Sequence, residues 1–245
     1  MRILITGAAG KVGKALRKEL ATAGHTLRLA DIAPIEKPEG ESVVLDVADS
    51  AAVRRAMDGI EAVAHLAYGH CWGNNDAQNI KNSFDVNVKG TYNLLWATRQ
   101  AGAKRFMYTT TLSVYGRALN ELTEITEQTP PSPDEIYGLT KLLGEANCKY
   151  FAEQHGVSVV CLRLCHVCDD DDWEKSRIAK DPKRNLWRAM STHVSDVAHA
   201  IYLSLTVPNL RFELINIAAD NKGRVSNIQR AKDVLGFWPL RRIDD

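Results

Sequence analysis

The sequence predicts an α/β protein built on a doubly wound parallel sheet, followed by a small C-terminal lobe. Short apolar stretches of strand length alternate with amphipathic stretches of helix length over residues 1–164, and a glycine-rich loop joins the first strand to the first helix. Alternation at this spacing implies parallel strands joined by right-handed crossovers. In such a sheet the ligand site lies at the carboxyl ends of the strands, where the strand order reverses.

The predicted strands are short apolar runs that end at a glycine or a polar residue. In chain order they cover residues 3–5, 26–30, 42–45, 62–66, 105–109, 157–164 and 213–217. Apolar residues at helical spacing predict helices at residues 14–23, 50–57, 83–101, 136–155, 196–205 and 225–235. Residues 1–164 would form the sheet domain, and residues 165–245 a small substrate lobe that closes over its edge as part of one compact unit.

The composition indicates an ordinary globular protein that binds neither nucleic acid nor membrane. Of 245 residues, 45% are hydrophobic and 25% are charged, and the formal net charge is +1. This balance gives no electrostatic attraction to nucleic acid or anionic lipid, and no apolar run approaches the ~18 residues of a membrane span. Five cysteines without disulfide-like spacing favour a reducing compartment, so we expect a cytoplasmic protein.

Three glycines follow the first predicted strand directly. Gly7, Gly10 and Gly13 form Gly-x-x-Gly-x-x-Gly, and a predicted helix comes next. Glycine lets the backbone turn sharply and approach a pyrophosphate, and a helix amino terminus offers free N–H groups and a positive dipole to phosphates. An ordinary βα turn is the alternative, but the strand–loop–helix context predicts a dinucleotide site.

One acidic residue closes the second predicted strand. At that position the Asp31 carboxylate would accept hydrogen bonds from an adenosine ribose and repel a 2′-phosphate. No basic residue follows it closely, since the next residues are Ile32, Ala33 and Pro34. The sequence therefore predicts NAD rather than NADP as the dinucleotide, with a simple turn residue as the alternative interpretation of Asp31.

A tyrosine and a lysine four residues apart lie on the predicted helix of residues 136–155. Tyr137 and Lys141 share one helix face, so the ammonium can stabilise a phenolate. A tyrosine titrates near ~10 and needs such a cation to act as a base near neutrality. Thr111 follows the fifth strand and offers a hydroxyl to hold a substrate oxygen. An isolated pair would indicate only surface residues, but after a dinucleotide loop it predicts proton transfer.

These features belong to a longer ordered series of motifs. The series is Gly7-x-x-Gly10-x-x-Gly13, Asp31, Asp46-Val47, His65-Leu66-Ala67, Asn87-Val88-Lys89-Gly90-Thr91, residues 109–116, Tyr137-x-x-x-Lys141, Arg163 and residues 193–197. Together the motifs resemble the extended short-chain dehydrogenase/reductase, or NAD-dependent epimerase/dehydratase, family. Within it, the pattern is most similar to the uronate dehydrogenase branch.

The resemblance implies a Rossmann fold, bound NAD and a role for each matching residue. The residues expected to bind NAD, beside the three glycines and Asp31, are Lys11, Val12, Asp46, Val47, Leu66, Ala67, Tyr68, Asn87, Tyr137, Lys141 and Cys165. Tyr137 would be the general acid/base, and Lys141 would bind the ribose and tune the phenol. Thr111 takes the place of a catalytic serine. The residues expected to contact the substrate are Thr111, Ser113, His166 and Arg188.

Other residues carry weaker signals. Arg184 and Arg188 could clamp a substrate carboxylate, with plain surface charge as the alternative. Cys165-x-x-Cys168 lacks the second ligand pair of a zinc site, so we expect no metal. Residues 169–172 could bind a cation, but we interpret them as a solvated acidic loop. Where relatives usually carry an aromatic residue, glycine and proline, this chain has residues 167–169, a departure that bears on the substrate pocket.

Three functions remain open from the sequence. The first is a dehydrogenase that oxidises a free sugar or sugar acid, because the short C-terminal part suits a small ligand. The second is a nucleotide-sugar epimerase or dehydratase that keeps NAD bound. The third is a redox-sensing protein that uses NAD only as a ligand. The resemblance also implies a homodimer, in which residues 83–101 and 136–155 pair across a two-fold axis as a four-helix bundle.

Overall fold

The computed structural model describes residues 1–69, 76–121, 124–178 and 185–244. Its central sheet has seven parallel strands in the order β3-β2-β1-β4-β5-β6-β9. The strands are β1 (Arg2–Thr6), β2 (Thr26–Asp31), β3 (Glu41–Val44), β4 (Ala62–His65), β5 (Arg105–Thr111), β6 (Ser158–Leu164) and β9 (Phe212–Ile217). The strand order reverses between β1 and β4, so the predicted doubly wound fold is confirmed.

Helices cover both faces of this sheet. They are α1 (Lys11–Thr22), α2 (Ser50–Ala56), α3 (Ala77–Phe84), α4 (Thr91–Ala101), the single turn α5 (Ala118–Glu121), α6 (Ile136–His155), α7 (Asp170–Ile178), α8 (Asn185–Met190) and α9 (Val194–Thr206). A π-helical segment, Asp85–Gly90, joins α3 to α4. Across the described ranges, no helix is long and apolar enough to cross a membrane.

Alternate residues of each strand pack against different helices. Ile3 and Ile5 of β1 are buried in one core cluster together with residues of α1 and α9, whereas Leu4 belongs to the cluster formed with α2, α4 and α6. This period of two is the side-chain alternation of a strand buried on both faces, and it explains why these strands are continuously apolar. The two clusters hold the strand ends, and with them the cleft, in fixed positions.

The C-terminal part contributes to the central sheet as well as to the cleft mouth. Strand β9 pairs with β6, and α9 packs against α1. The short strands β7 (His166–Cys168) and β8 (Ser191–His193) form a separate two-stranded sheet, with α7 and α8 between them in the chain. Residues after 164 therefore divide between the Rossmann sheet and the smaller unit beside it, and a substrate-binding role for that unit stays a prediction.

Two expectations about the C-terminal part are wrong. The helix expected at residues 225–235 is confined to its end, where the π-helical segment is Ala231–Leu235. Ser226 instead forms a parallel bridge with Ile125, whose N–H donates to the Val225 carbonyl at 2.7 Å. The acidic stretch expected as a loop also differs, since Asp170 begins α7. Acidic residues stabilise a helix amino terminus through its dipole, which accounts for the helix.

Candidate active site

A cleft of about 700 Å³ opens at the carboxyl ends of the strands, where the strand order reverses. The ends of β1, β2, β4, β5 and β6 line its floor, and the first turns of α1 and α6 line its sides. A cleft of this size at a topological switch point is the expected place for a dinucleotide and a small substrate.

The glycine loop forms one end of the cleft, and its shape requires glycine at two positions. Gly7 has φ of +72°, and a Cβ there would lie 2.6 Å from the Ala67 nitrogen. A Cβ on Gly13 would lie 2.4 Å from the Gly7 carbonyl oxygen. Helix α1 begins at Lys11, immediately after this loop. A diphosphate can therefore closely approach both the loop backbone and the first N–H groups of the helix.

Asp31 lies at the end of β2, beside the glycine loop. Its Oδ2 accepts a hydrogen bond from the Ala9 N–H at 2.9 Å, and its Oδ1 accepts one from the Ala33 N–H at 3.1 Å. These two bonds hold the carboxylate at the cleft wall. Each carboxylate oxygen can accept more than one hydrogen bond, so Asp31 keeps acceptor capacity for ribose hydroxyls.

Tyr137 and Lys141 lie on the first turns of α6 at the opposite end of the cleft. The half-buried Tyr137 ring meets the exposed Tyr68 ring edge to face, with 6.1 Å between centroids. Lys141 is buried, and its Nζ donates to the Thr109 carbonyl at 2.8 Å and lies 4.7 Å from the centre of the Tyr108 ring.

Burial shifts the proton affinity of both groups. Desolvation, reinforced by the Tyr68 phenol, raises the pKa of Tyr137 well above its usual value. Desolvation also lowers the pKa of Lys141 to about 7, although Glu145 and Cys148 oppose the change. At neutral pH the Tyr137 phenol therefore keeps its proton, whereas Lys141 is divided between its charged and neutral forms.

Thr111 ends β5 and faces the same part of the cleft. Its Oγ1 lies 3.1 Å from the Ser113 Oγ and accepts from the Ser113 N–H at 3.1 Å. A Cβ on Gly138 would lie 2.5 Å from the Ser113 carbonyl oxygen, so only glycine allows α6 to approach the turn after β5 this closely. This approach brings Tyr137 and Thr111 to one site.

Most predicted site residues line the cleft together. They are Gly7, Gly10, Lys11, Val12, Gly13, Asp31, Asp46, Val47, Leu66, Ala67, Tyr68, Thr111, Tyr137, Lys141, Cys165 and His166. The lining also includes residues that were not predicted: Thr6, Ala9, Ala30, Ile32, Leu45, Asn82, Val86, Thr109, Thr110, Leu164 and Val167. Most of these are neighbours of predicted residues at strand ends, and that position was the signal that could have found them.

Three predicted site residues are placed elsewhere among the described residues. Ser113 contacts Thr111 without lining the cleft. Asn87 is fully buried and exchanges hydrogen bonds with the backbone of Gly69. Arg188 forms an ion pair with Asp244 at 3.3 Å near the C-terminus. Arg184 lies outside the described residues.

Lys11, which begins α1 and lines the cleft, is the centre of an ion-pair cluster. Lys11 Nζ lies 3.0 Å from Asp169 Oδ2 and 2.5 Å from Asp172 Oδ2. Burial opposes the lysine charge, but the two carboxylates outweigh burial and raise the pKa of Lys11. The cluster joins the glycine-loop rim to α7. We call it the Lys11 clasp.

The thiol that lines the cleft is held in its neutral form. Cys165 Sγ lies 2.7 Å from Thr192 Oγ1, and burial raises the pKa of Cys165 to about 12. Cys168 is fully buried, and its Sγ lies 3.4 Å from His166 Nδ1. Because the thiolate is the reactive form of cysteine, this geometry supports a packing role for both residues.

The sequence-family comparison decides the classification. The NAD dependent epimerase/dehydratase family matches residues 3–176, well over half of the chain. The chain belongs to this family. Uronate dehydrogenase of Pseudomonas syringae pv. tomato is 30% identical over 226 residues, which cover 90% of this chain and 75% of that protein. L-arabinose 1-dehydrogenase (NAD(P)(+)) of Haloferax volcanii is 30% identical over 261 residues, covering 97% and 96%.

Solved structures of the same superfamily share the fold. A short-chain dehydrogenase/reductase superfamily protein from Agrobacterium tumefaciens, crystallised with bound NAD, has a TM-score of 0.86 at 27% identity and covers 100% of this chain and 94% of its own. A mutated uronate dehydrogenase has a TM-score of 0.83 at 26% identity, covering 99% and 82%. The predicted family resemblance is confirmed. The glycine cradle and Asp31 of this epimerase/dehydratase-family chain fit the adenosine diphosphate half of NAD.

Proposed function

We propose that this chain is an NAD-dependent dehydrogenase that oxidises a hydroxyl of a small sugar or sugar acid, with Tyr137 as the proton acceptor. The observation that carries the proposal is the convergence of Tyr137, Lys141 and Thr111 at one end of a cleft whose other end is a glycine cradle followed by a helix amino terminus. Hydride transfer requires such a hydroxyl-binding group and base beside a bound dinucleotide.

The relatives support the substrate class. One is named uronate dehydrogenase and another L-arabinose 1-dehydrogenase, so an acidic and a neutral sugar are both represented. The arabinose enzyme is matched over nearly its whole length, whereas the uronate enzyme is matched over three quarters of its length. Free sugars and sugar acids are therefore the first substrates to test.

The cleft residues divide between holding the cofactor and handling the proton. Bound NAD supplies the hydride acceptor and a positive charge. The glycine loop and the start of α1 would hold its diphosphate, and the Asp31 carboxylate would accept hydrogen bonds from the adenosine ribose. Asp46 and Val47 line the wall next to Asp31 and would flank the adenine.

At the other end the protein's own side chains orient and deprotonate the substrate. Thr111 offers its hydroxyl to the substrate oxygen, and the Tyr137 phenolate takes the hydroxyl proton. The phenolate forms only when positive charge offsets its desolvation, because burial raises its pKa. Lys141, on the same face of α6, supplies one such charge in its protonated form.

A panel of aldoses and uronic acids with NAD tests this function. We expect the absorbance of NADH to rise with at least one free sugar or uronate. A sugar product isomerised without net NADH would instead support the epimerase. Turnover of no sugar, by either readout, would contradict the proposed activity.

We also propose that two copies associate through α4 and α6. These helices pack side by side, and their outer face carries large side chains that are exposed in the single chain: Tyr92 at 44%, Trp96 at 38% and Tyr150 at 51%. A contiguous aromatic face of this kind is typical of a subunit contact. A two-fold axis would place these helices against their copies and remove the rings from water.

A further inference from the structure

A continuous line of buried polar groups runs from β1 to the π-helical segment before α4. Thr6 Oγ1 lies 2.7 Å from His65 Nδ1, and His65 Nε2 lies 3.1 Å from Thr91 Oγ1. Thr91 then donates to the Asn87 carbonyl at 2.8 Å. His65, Thr91 and Asn87 are fully buried, and Thr6 is 1% exposed.

The same line continues to the helix that carries Tyr137. The Asn87 amide Nδ2 donates to Thr140 Oγ1 at 3.0 Å, and the Thr140 hydroxyl donates to the Tyr137 carbonyl at 3.0 Å. Thr140 is also fully buried. The path therefore links the strand that leads into the glycine loop with the first turn of α6.

The direction of each hydrogen bond selects one form of the imidazole. With the Thr91 proton on the Asn87 carbonyl, the Thr91 hydroxyl accepts from His65, and the hydrogen is assigned to His65 Nε2. The Asn87 carbonyl also accepts from the Tyr108 hydroxyl at 3.5 Å. The lone pair is then on Nδ1, which accepts the Thr6 proton. This pattern assigns His65 the neutral Nε2–H tautomer, in which both ring nitrogens have hydrogen-bond partners.

The surroundings of His65 favour the neutral form. Burial, followed by the nearby Lys141 ammonium of α6, holds the pKa of His65 well below its usual range. Two rings of β5 face the imidazole, Tyr108 at 5.5 Å and Phe106 at 6.1 Å between centroids. A second proton would place two cations close together and would break the bond from Thr6.

We propose that His65 is a positioning residue, which through Thr91, Asn87 and Thr140 fixes the first turn of α6 relative to β1 so that Tyr137 and Lys141 face the cleft. The inference rests on the proposed role of Tyr137 and adds a residue that lies outside the cleft lining. Removing one hydrogen bond of this line leaves the glycine loop intact but shifts Tyr137 and Lys141. Small displacements of reacting groups lower turnover strongly.

A pair of threonines on α4 gives a matched test. Thr91→Val removes the link to His65. Thr98→Val removes an equally buried threonine whose hydroxyl donates to the Leu94 carbonyl at 2.7 Å, away from the line. We expect Thr91→Val to lower kcat about tenfold with a less than about twofold change in the KM for NAD, Thr91→Ser to restore kcat, and Thr98→Val to leave both constants within about twofold. Equal kcat in the two valine variants would overturn the proposal.

A second readout needs no substrate, so it remains decisive if no sugar is turned over. In ¹⁵N spectra of the histidine rings, assigned with His65→Gln, we expect an Nε2–H tautomer for His65 that does not titrate between about pH 5.5 and 8.5. In ¹³C spectra of the tyrosine rings near neutral pH, assigned with Tyr137→Phe, we expect Thr91→Val, but not Thr98→Val, to shift the Cζ resonance of Tyr137. An Nδ1–H tautomer or a titrating His65 ring, or an unchanged Tyr137 resonance in Thr91→Val, would refute the positioning role even in an inactive chain.

Discussion

Single residues account for the two ends of the cleft, and Lys141 illustrates how a site residue costs stability. Its pKa is lowered from 10.5 to about 7 because burial disfavours the charged amine. The folded chain therefore binds fewer protons than the unfolded chain between pH 7 and 10.5, so folding stability gains with pH across that window. Below pH 7 the buried charge is fully present and its desolvation cost is greatest.

Replacing this lysine should stabilise the chain under acidic conditions. We expect Lys141→Met to be more stable than the natural chain at pH 6, by about 1–4 kcal/mol, because a buried charge gives way to an apolar side chain. The difference should shrink towards pH 10. Urea unfolding at both pH values measures it, with the exposed Lys104→Met as control. A pH-independent difference would contradict the assigned pKa shift.

Gly7 combines a left-handed backbone with a lack of space, and Gly24 separates the two effects. Both have positive φ, +72° and +78°, but a Cβ on Gly24 has open space around it, whereas one on Gly7 meets the Ala67 backbone. We expect both alanine variants to lose about 1–2 kcal/mol of stability from backbone strain. Only Gly7→Ala should also weaken NAD binding, by more than about tenfold, in a calorimetric titration. An unchanged affinity of Gly7→Ala for NAD would refute the proposed role of the glycine loop in binding the diphosphate.

At the scale of elements, the Lys11 clasp joins the first residue of α1, which lines the cleft, to α7. Exposed ion pairs contribute only about 0–1 kcal/mol of free energy, so their loss should have a modest effect. We expect Lys11→Met or Asp169→Asn to speed NADH release about two- to fivefold. Stopped-flow fluorescence measures this rate. Lys175→Met is the matched control, because Lys175 pairs with Asp172 within α7 at 3.7 Å. If Lys175→Met also speeds NADH release, the effect comes from the loss of a positive charge and not from the Lys11 clasp.

The sequence predicted elements best where local pattern and packing agree. Helix α6 has the predicted ends, since Gly156 at its C-cap adopts the left-handed conformation that stops a helix. Strands β7 and β8 have three residues each and were missed, because they exist only through pairing across 25 residues of chain (for example His166 with Ser191). The prediction of a helix at residues 225–235 was wrong for the same reason, since Ser226 pairs with the distant Ile125.

The candidate site shows the same limit. The sequence alone predicts that Asp31 and Thr111 line one cleft, because each lies at the carboxyl end of a strand in a parallel sheet. Tyr137 lies on α6, which comes after the fifth strand, and its place in the same cleft was predicted from the Tyr-x-x-x-Lys spacing and the family resemblance. The position of Asn87 depends on how the π-helical turn packs beneath α6, and no spacing rule encodes that contact. Ser113 turns its backbone towards Gly138, which only the packed helix reveals.

At the scale of the whole molecule, the exposed face of α4 and α6 predicts the oligomeric state. We expect a homodimer in light scattering at micromolar concentration and a monomer for Trp96→Asp, because a buried carboxylate opposes the contact. Trp238→Asp is the control, since Trp238 is 62% exposed and lies outside both helices. A natural chain that is monomeric at this concentration would contradict the proposed interface. The cytoplasmic location expected from the cysteines stays a prediction.

The central claim is that a phenol on α6 removes the substrate proton beside a bound dinucleotide. It is tested most directly by measuring NAD affinity and sugar-dependent NADH formation for the natural chain and Tyr137→Phe together. If Tyr137 is the base, we expect the variant to bind NAD within about twofold of the natural chain and to lose at least about a hundredfold in kcat. A variant that still forms NADH at the natural rate would contradict it.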